Sequence, residues 1–125
     1  MRLVTNTEGI ADWFGDKAAV KLIKDAGFDA ADYSMFCLGS DASPLANDGW
    51  EDYVKDLKAY ADSIGFTFRQ GHSPFPCYNR DDMAYTEKIV PRVRRSVEIA
   101  GMLGVKNLVV HPIAPTQAPV GADLK

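Results

Sequence analysis

Apolar residues recur along this chain with helical and strand-like periods in alternation. Over residues 16–26, Ala19, Val20, Ile23 and Ala26 fall on one helical face. A fuller stripe follows: Trp50, Tyr53, Val54, Leu57, Tyr60, Ala61 and Ile64 keep i, i+3, i+4, i+7 spacing, with Asn47 or Asp48 as the cap. A third stripe, Ile89, Val93, Val97, Ala100 and Leu103, predicts a helix over residues 81–103. Pro91 lies inside it and, lacking an amide donor, should kink or split it. Residues 2–6, 29–34, 66–71 and 107–110 read as strands, the last apolar over Leu108, Val109 and Val110 as in a strand buried on both faces. The segment TEGIADWFG reads as a loop entering a helix, and residues 35–47 and 73–80 as longer loops. The closing stretch APTQAPVGADLK has no clear period.

Each predicted helix ends at a glycine: Gly27, Gly65 and Gly104, spaced by 38 and 39 residues. Seven positions past each glycine stand Ser34, His72 and His111. A repeat of this length, one helix and one strand, is the signature of stacked α/β units. The expected order is β-α-β-α-β-α-β, with four parallel strands alternating with three helices and right-handed crossovers. Alternation along each strand puts Asp32 with Ser34, Gln70 with His72 and Val109 with His111 on one face, with Ala30, Phe68 and Asn107 deeper on it. Both histidines of the chain then occupy equivalent points at strand C-termini, where parallel α/β folds bind ligands.

Composition narrows the function classes. The chain has 125 residues, enough for one small domain with a core, and 46% of them are hydrophobic. A net charge of −3 leaves no electrostatic footprint for nucleic acid or an anionic membrane. The cluster Arg92, Arg94 and Arg95 reads as the solvated face of its helix. No apolar run approaches the ~20 residues of a membrane span, and the opening MRLVTN reads as a strand rather than a secretory leader. Cys37 and Cys77 form no CxxC and suit reduced thiols in a cytoplasmic protein. Neither GxGxxG nor GxxxxGK[ST] occurs, so no phosphate-cradling loop is expected.

The segments AGFDAADY, IGFTFRQGHSPF and VEIAGMLGVKNLVVHPI resemble the sugar phosphate isomerase/epimerase group of the xylose isomerase-like TIM barrels, a superfamily that includes endonuclease IV. The last is the most specific: a helix ending in A..LG, an apolar strand, then His-Pro. The resemblance covers nearly the whole chain but only half of an eight-stranded barrel of ~250 residues. It implies that residues 1–125 form a single domain, the N-terminal half of a (β/α)8 barrel. In endonuclease IV-like members the histidines after strands three and four bind zinc, and these map onto His72 and His111. In the sugar isomerases the corresponding histidines more often contact substrate. There the main metal ligands, two Glu, an Asp and a His, come from strands five to eight, which have no counterpart in this sequence.

The resemblance therefore implies a small carbohydrate partner, bound by His72, His111, Asp32 and Phe75, and a divalent metal (Zn, Mn, Mg or Co) with His72 and His111 as its candidate ligands here. Two histidines are fewer than the three or four ligands a metal site needs, and no catalytic residue is assigned. Asp32 either orients a histidine, binds a substrate hydroxyl, or is a satisfied strand-end carboxylate. Phe36, Phe75, Tyr78 and Trp13 either stack on a sugar or shield the top of the core. Two rival readings stand beside the isomerase: a metal-dependent phosphodiesterase acting on DNA, and a non-catalytic half barrel. Four strands without closure expose two edges, so a homodimer is expected.

Overall fold

The structure is a computed structural model that describes residues 2–112; the aperiodic closing stretch APTQAPVGADLK lies outside them. The elements are β1 (Val4–Asn6), α1 (Ile10–Phe14), α2 (Asp16–Asp25), β2 (Ala30–Ser34), a 3-10 turn (Phe36–Gly39), α3 (Trp50–Ser63), β3 (Phe68–His72), α4 (Met83–Leu103) and β4 (Asn107–Val109). All pairings are parallel, in the order β1-β2-β3-β4. The fold is α/β. Each new strand is added on the same side as the last, so the order never reverses. No helix among the described residues is long and apolar enough to cross a membrane.

The three repeat glycines have left-handed backbones, with φ of 89° at Gly27, 66° at Gly65 and 74° at Gly104, which explains glycine at each helix exit. Gly15, also at positive φ, separates α1 from α2, so the segment before the first long helix is itself a short helix. Gly49 rather than Asn47 or Asp48 caps α3, with a left-handed backbone and no side-chain hydrogen bond. The side-chain cap is on α4, where Asp82 accepts from the Tyr85 amide at 2.9 Å.

Pro91 does not split α4, which runs unbroken from Met83 to Leu103. The Glu87 carbonyl loses its i+4 donor on a side of the helix where Glu87 and Pro91 are both exposed. The buried stripe of α4 is Thr86, Ile89, Ser96, Ile99, Ala100 and Leu103; Val97 is 55% exposed. The stripe is turned by about one residue from the expected one because Ser96 goes inward to the Ser73 hydroxyl, 3.1 Å away.

The core lies on one face of the sheet. Ala31, Tyr33 and Phe68 meet Val20 and Ile23 of α2, Val54 and Leu57 of α3, and Ile99 and Leu103 of α4. Each of the larger aliphatic side chains buried here contributes about 1.5–3 kcal/mol. Phe68 stands on this face, edge-on to Tyr33 at 5.5 Å, and not among the polar residues of the other face. The cause is a register irregularity: Ala31 pairs with Phe68 but Asp32 with Gln70, leaving Arg69 as the extra residue of a bulge. One extra residue moves everything before it to the opposite face.

Arg92 and Arg95 are not a solvated face. Arg92 donates to the Leu38 carbonyl at 2.8 Å and pairs with Asp41, while Arg95 donates to the Leu45 carbonyl at 2.9 Å and lies over the Trp50 ring. Both tie the segment after β2 to α4. Leu38 and Leu45, fully buried, anchor the same segment from within.

Candidate functional site

The free face of the sheet is polar because strand alternation reserves the apolar positions for the helices. Asn6, Asp32, Gln70 and Asn107 form one row across all four strands by direct pairing. The next row toward the strand ends pairs Ser34 with His72 and His72 with Val109. His111 is thus two residues beyond the level of His72, and the expected equivalence of the two histidines is corrected. Counting from the glycines predicts Val109 opposite Gln70, whereas Asn107 is there. Stagger between successive parallel strands, which a chain count does not contain, makes the difference.

Asp32, buried, is the hinge of the polar row. Its Oδ1 is 2.9 Å from His72 Nδ1, and its Oδ2 accepts from Gln70 Nε2 at 2.9 Å. A carboxylate only accepts, so Nδ1 of His72 carries the proton and Nε2 is left as an acceptor. The backbone around the pair is stitched tightly. Thr7 N–H donates to the Asp32 carbonyl at 2.9 Å, the Ser34 amide donates to Thr7 Oγ1 at 3.0 Å, and Met35 N–H donates to the His72 carbonyl at 2.9 Å.

Aromatic rings flank the histidines. His72 and His111 have ring centroids 6.3 Å apart and tilted by 30°. Phe75 lies 4.8 Å from the His111 ring and Phe36 6.1 Å from the His72 ring, edge-on. Phe75 is 54% exposed. Trp13 is exposed and Tyr78 buried, and neither makes a ring contact with the histidines among the described residues. The Cys77 thiol donates to the His111 carbonyl at 3.1 Å, and Cys37 and Cys77 are both free.

A second polar cluster, not anticipated from the sequence, adjoins the first. Tyr33 and Tyr53 both donate their hydroxyls to Asp16 Oδ2, each at 2.8 Å. Burial pushes the Asp16 carboxyl above its ordinary range, against the pull of the two tyrosine hydrogen bonds. Burial and the Asp16 charge push both tyrosines up as well. One signal was available: Tyr33 faces the core by alternation, and a buried hydroxyl requires a partner. Beside this cluster opens a cleft of about 600 Å³ between the β1–α1 turn, the segment after β2 and Tyr53 of α3. Ser34 and Phe36 line it and connect it to His72. The Ser34 hydroxyl oxygen is buried and has no hydrogen-bond partner among the described residues.

The described residues do not fit a metal by themselves. No three His, Cys, Asp or Glu side chains among them group as a ligand set. His72 and His111 offer two imidazoles at most, and the Asp32 oxygens are engaged by His72 and Gln70. No protein-family model matches the chain, and no curated protein matches it.

Proposed function

We propose that this chain is the first half of a TIM barrel of the sugar phosphate isomerase/epimerase kind, and that its strand ends bind a small carbohydrate for isomerisation or epimerisation. The unreversed parallel order supports the barrel over a doubly wound sheet, which would reverse at a switch point. The observation that carries the function is the Asp32–His72 hydrogen bond with Gln70 behind it. A carboxylate that holds one ring nitrogen protonated directs the other as an acceptor toward the strand ends.

Isomerising a hydroxy-carbonyl sugar moves a proton between neighbouring carbons and another between their oxygens. His72 Nε2 accepts a substrate hydroxyl proton and returns it to the adjacent oxygen, while Asp32 steadies the imidazolium between the two steps; the carbon-bound proton is left to an acid/base carboxylate of the kind the resemblance places in strands beyond the fourth. His111 and Phe75 wall the same space, the ring offering its face to the C–H side of a sugar. The divalent metal of the resemblance would need ligands beyond the described residues, and no step here runs through it. Among the described residues β1 and β4 each pair on one side only, and exposed Val4 of β1 and Val110 just past β4 support association through these edges.

The test uses the fact that the chain has two histidines and hence two imidazole signals. Titrating the 125-residue chain with reducing sugars should shift both signals together by NMR. His72→Gln should then weaken the sugar-induced shift of the remaining His111 signal. Imidazole signals that ignore every sugar would end this reading.

A further inference from the structure

We infer that the cleft beside Asp16 selects an unphosphorylated, polyhydroxylated ligand and rejects its phosphate ester. The inference rests on the carbohydrate reading above and narrows it. The cleft, about 600 Å³, is of the size that holds a small molecule. Three carboxylates line it, Glu8, Asp12 and Asp16, and no Lys or Arg does among the described residues. A phosphate dianion entering it meets three carboxylates and no cationic side chain among the described residues. A sugar meets what it needs: carboxylate acceptors for adjacent hydroxyls and the Phe36 ring for its apolar face.

The independent observation is Ser34. Its hydroxyl oxygen is buried without a partner at the wall between the cleft and the His72 row. A buried polar atom left alone is destabilising, and rotation of the Ser34 hydroxyl toward the cleft that the residue lines would let a ligand hydroxyl remove that penalty. The nearby cations are committed elsewhere: Arg92 to the Leu38 carbonyl and Asp41, Arg95 to the Leu45 carbonyl. Lys17 lines a neighbouring hollow that shares Gly15 and Tyr53 with the cleft, and pairs there with Asp56; Arg69 lines a 250 Å³ groove on the sheet with Asn6, Asp32, Gln70 and Asn107. That groove lies on the deeper row and holds no hydroxyl-bearing aromatic wall like that of Tyr53.

The experiment titrates the full chain, at low ionic strength, with D-glucose, D-xylose and myo-inositol, with glucose 6-phosphate, and with inorganic phosphate. Amide shifts of Ser34, Phe36 and Tyr53 are the readout. At least one neutral probe should move all three, and glucose 6-phosphate should bind about tenfold more weakly than glucose or not at all. The double variant Glu8→Gln, Asp12→Asn, both exposed and safe to change, should close that gap. The inference is overturned if no neutral probe moves these amides, or if the ester binds as well as the sugar and loses affinity in Arg69→Ala. A sugar that moves the Tyr53 amide but leaves the His72 imidazole untouched would sink the proton-transfer reading and leave this one standing.

Discussion

Asp32 and His72 are 40 residues apart in the chain and 2.9 Å apart in space, joined across neighbouring parallel strands. Asp32 pairs in register with Gln70, and Ser34 with His72, so the contact runs diagonally from one row to the next. Gln70, directly opposite, occupies the second carboxylate oxygen. The carboxylate therefore has no freedom to turn away from the imidazole.

That geometry predicts a single tautomer for His72, protonated at Nδ1. Nitrogen-15 NMR of the ring should show Nε2 as the unprotonated nitrogen, and Asp32→Ala should scramble the two forms. The same substitution should cost about 1–3 kcal/mol in urea denaturation, because the Gln70 amide and the imidazole both lose a partner. An unchanged tautomer in Asp32→Ala would show that Asp32 does not position the ring.

Asp16 predicts an acid-side pH dependence. Burial raises its folded pKa above the ordinary value of 3.8, so the folded state holds this proton more tightly than the unfolded chain. The stability from protonated Asp16 is fully present below 3.8 and is lost as pH rises through the folded value. Wild type should thus lose stability relative to Asp16→Asn over that window. Paired urea titrations at several pH values check it, and a difference that grows in the wild type's favour would reverse the sign and refute the account.

Arg92 predicts an asymmetry within the arginine cluster. Arg92→Ala removes the charged donor to the Leu38 carbonyl and the pair with Asp41, and should cost about 1.5–3 kcal/mol. Arg94, exposed, should be silent to within about 0.5 kcal/mol. Limited proteolysis should find residues 36–47 more readily cut in Arg92→Ala than in Arg94→Ala. Equal behaviour of the two variants would return the cluster to an ordinary solvated surface.

Met83, Val90 and Val97 recur every seven residues along α4 and are 51%, 41% and 55% exposed. Val110, just past the free strand β4, is 47% exposed, so α4 and that strand each leave apolar surface uncovered. The chain should self-associate as its concentration rises, and Val90→Glu with Val97→Glu should shift sedimentation toward the monomer without changing the circular dichroism. A wild-type chain that sediments as a monomer at high concentration would remove the case for association through this edge.

Much of this protein could be read from local pattern. The helical stripes of α2 and α3 and the glycines at positions 27, 65 and 104 announce themselves because helix periodicity and left-handed turns are properties of a few adjacent residues. The alternating α/β order follows from the same signals. The pairing of Asp32 with Gln70 and of Ser34 with His72 was also implicit in the repeat, since β2 and β3 sit at equal distances from their glycines. What the chain order does not contain is the stagger of β4, which brings Asn107 rather than Val109 opposite Gln70 and sets His111 beyond His72. Nor does it contain the bulge at Arg69 that turns Phe68 into the core, or the inward turn of Ser96 that leaves Val97 outside. The meeting of Tyr33 and Tyr53 on one oxygen of Asp16, across separations of 17 and 37 residues, likewise belongs to packing. Backbone periodicity acts over a few residues and is written in them; register and side-chain partnership are settled only when strands and helices from distant parts of the chain compete for the same contacts.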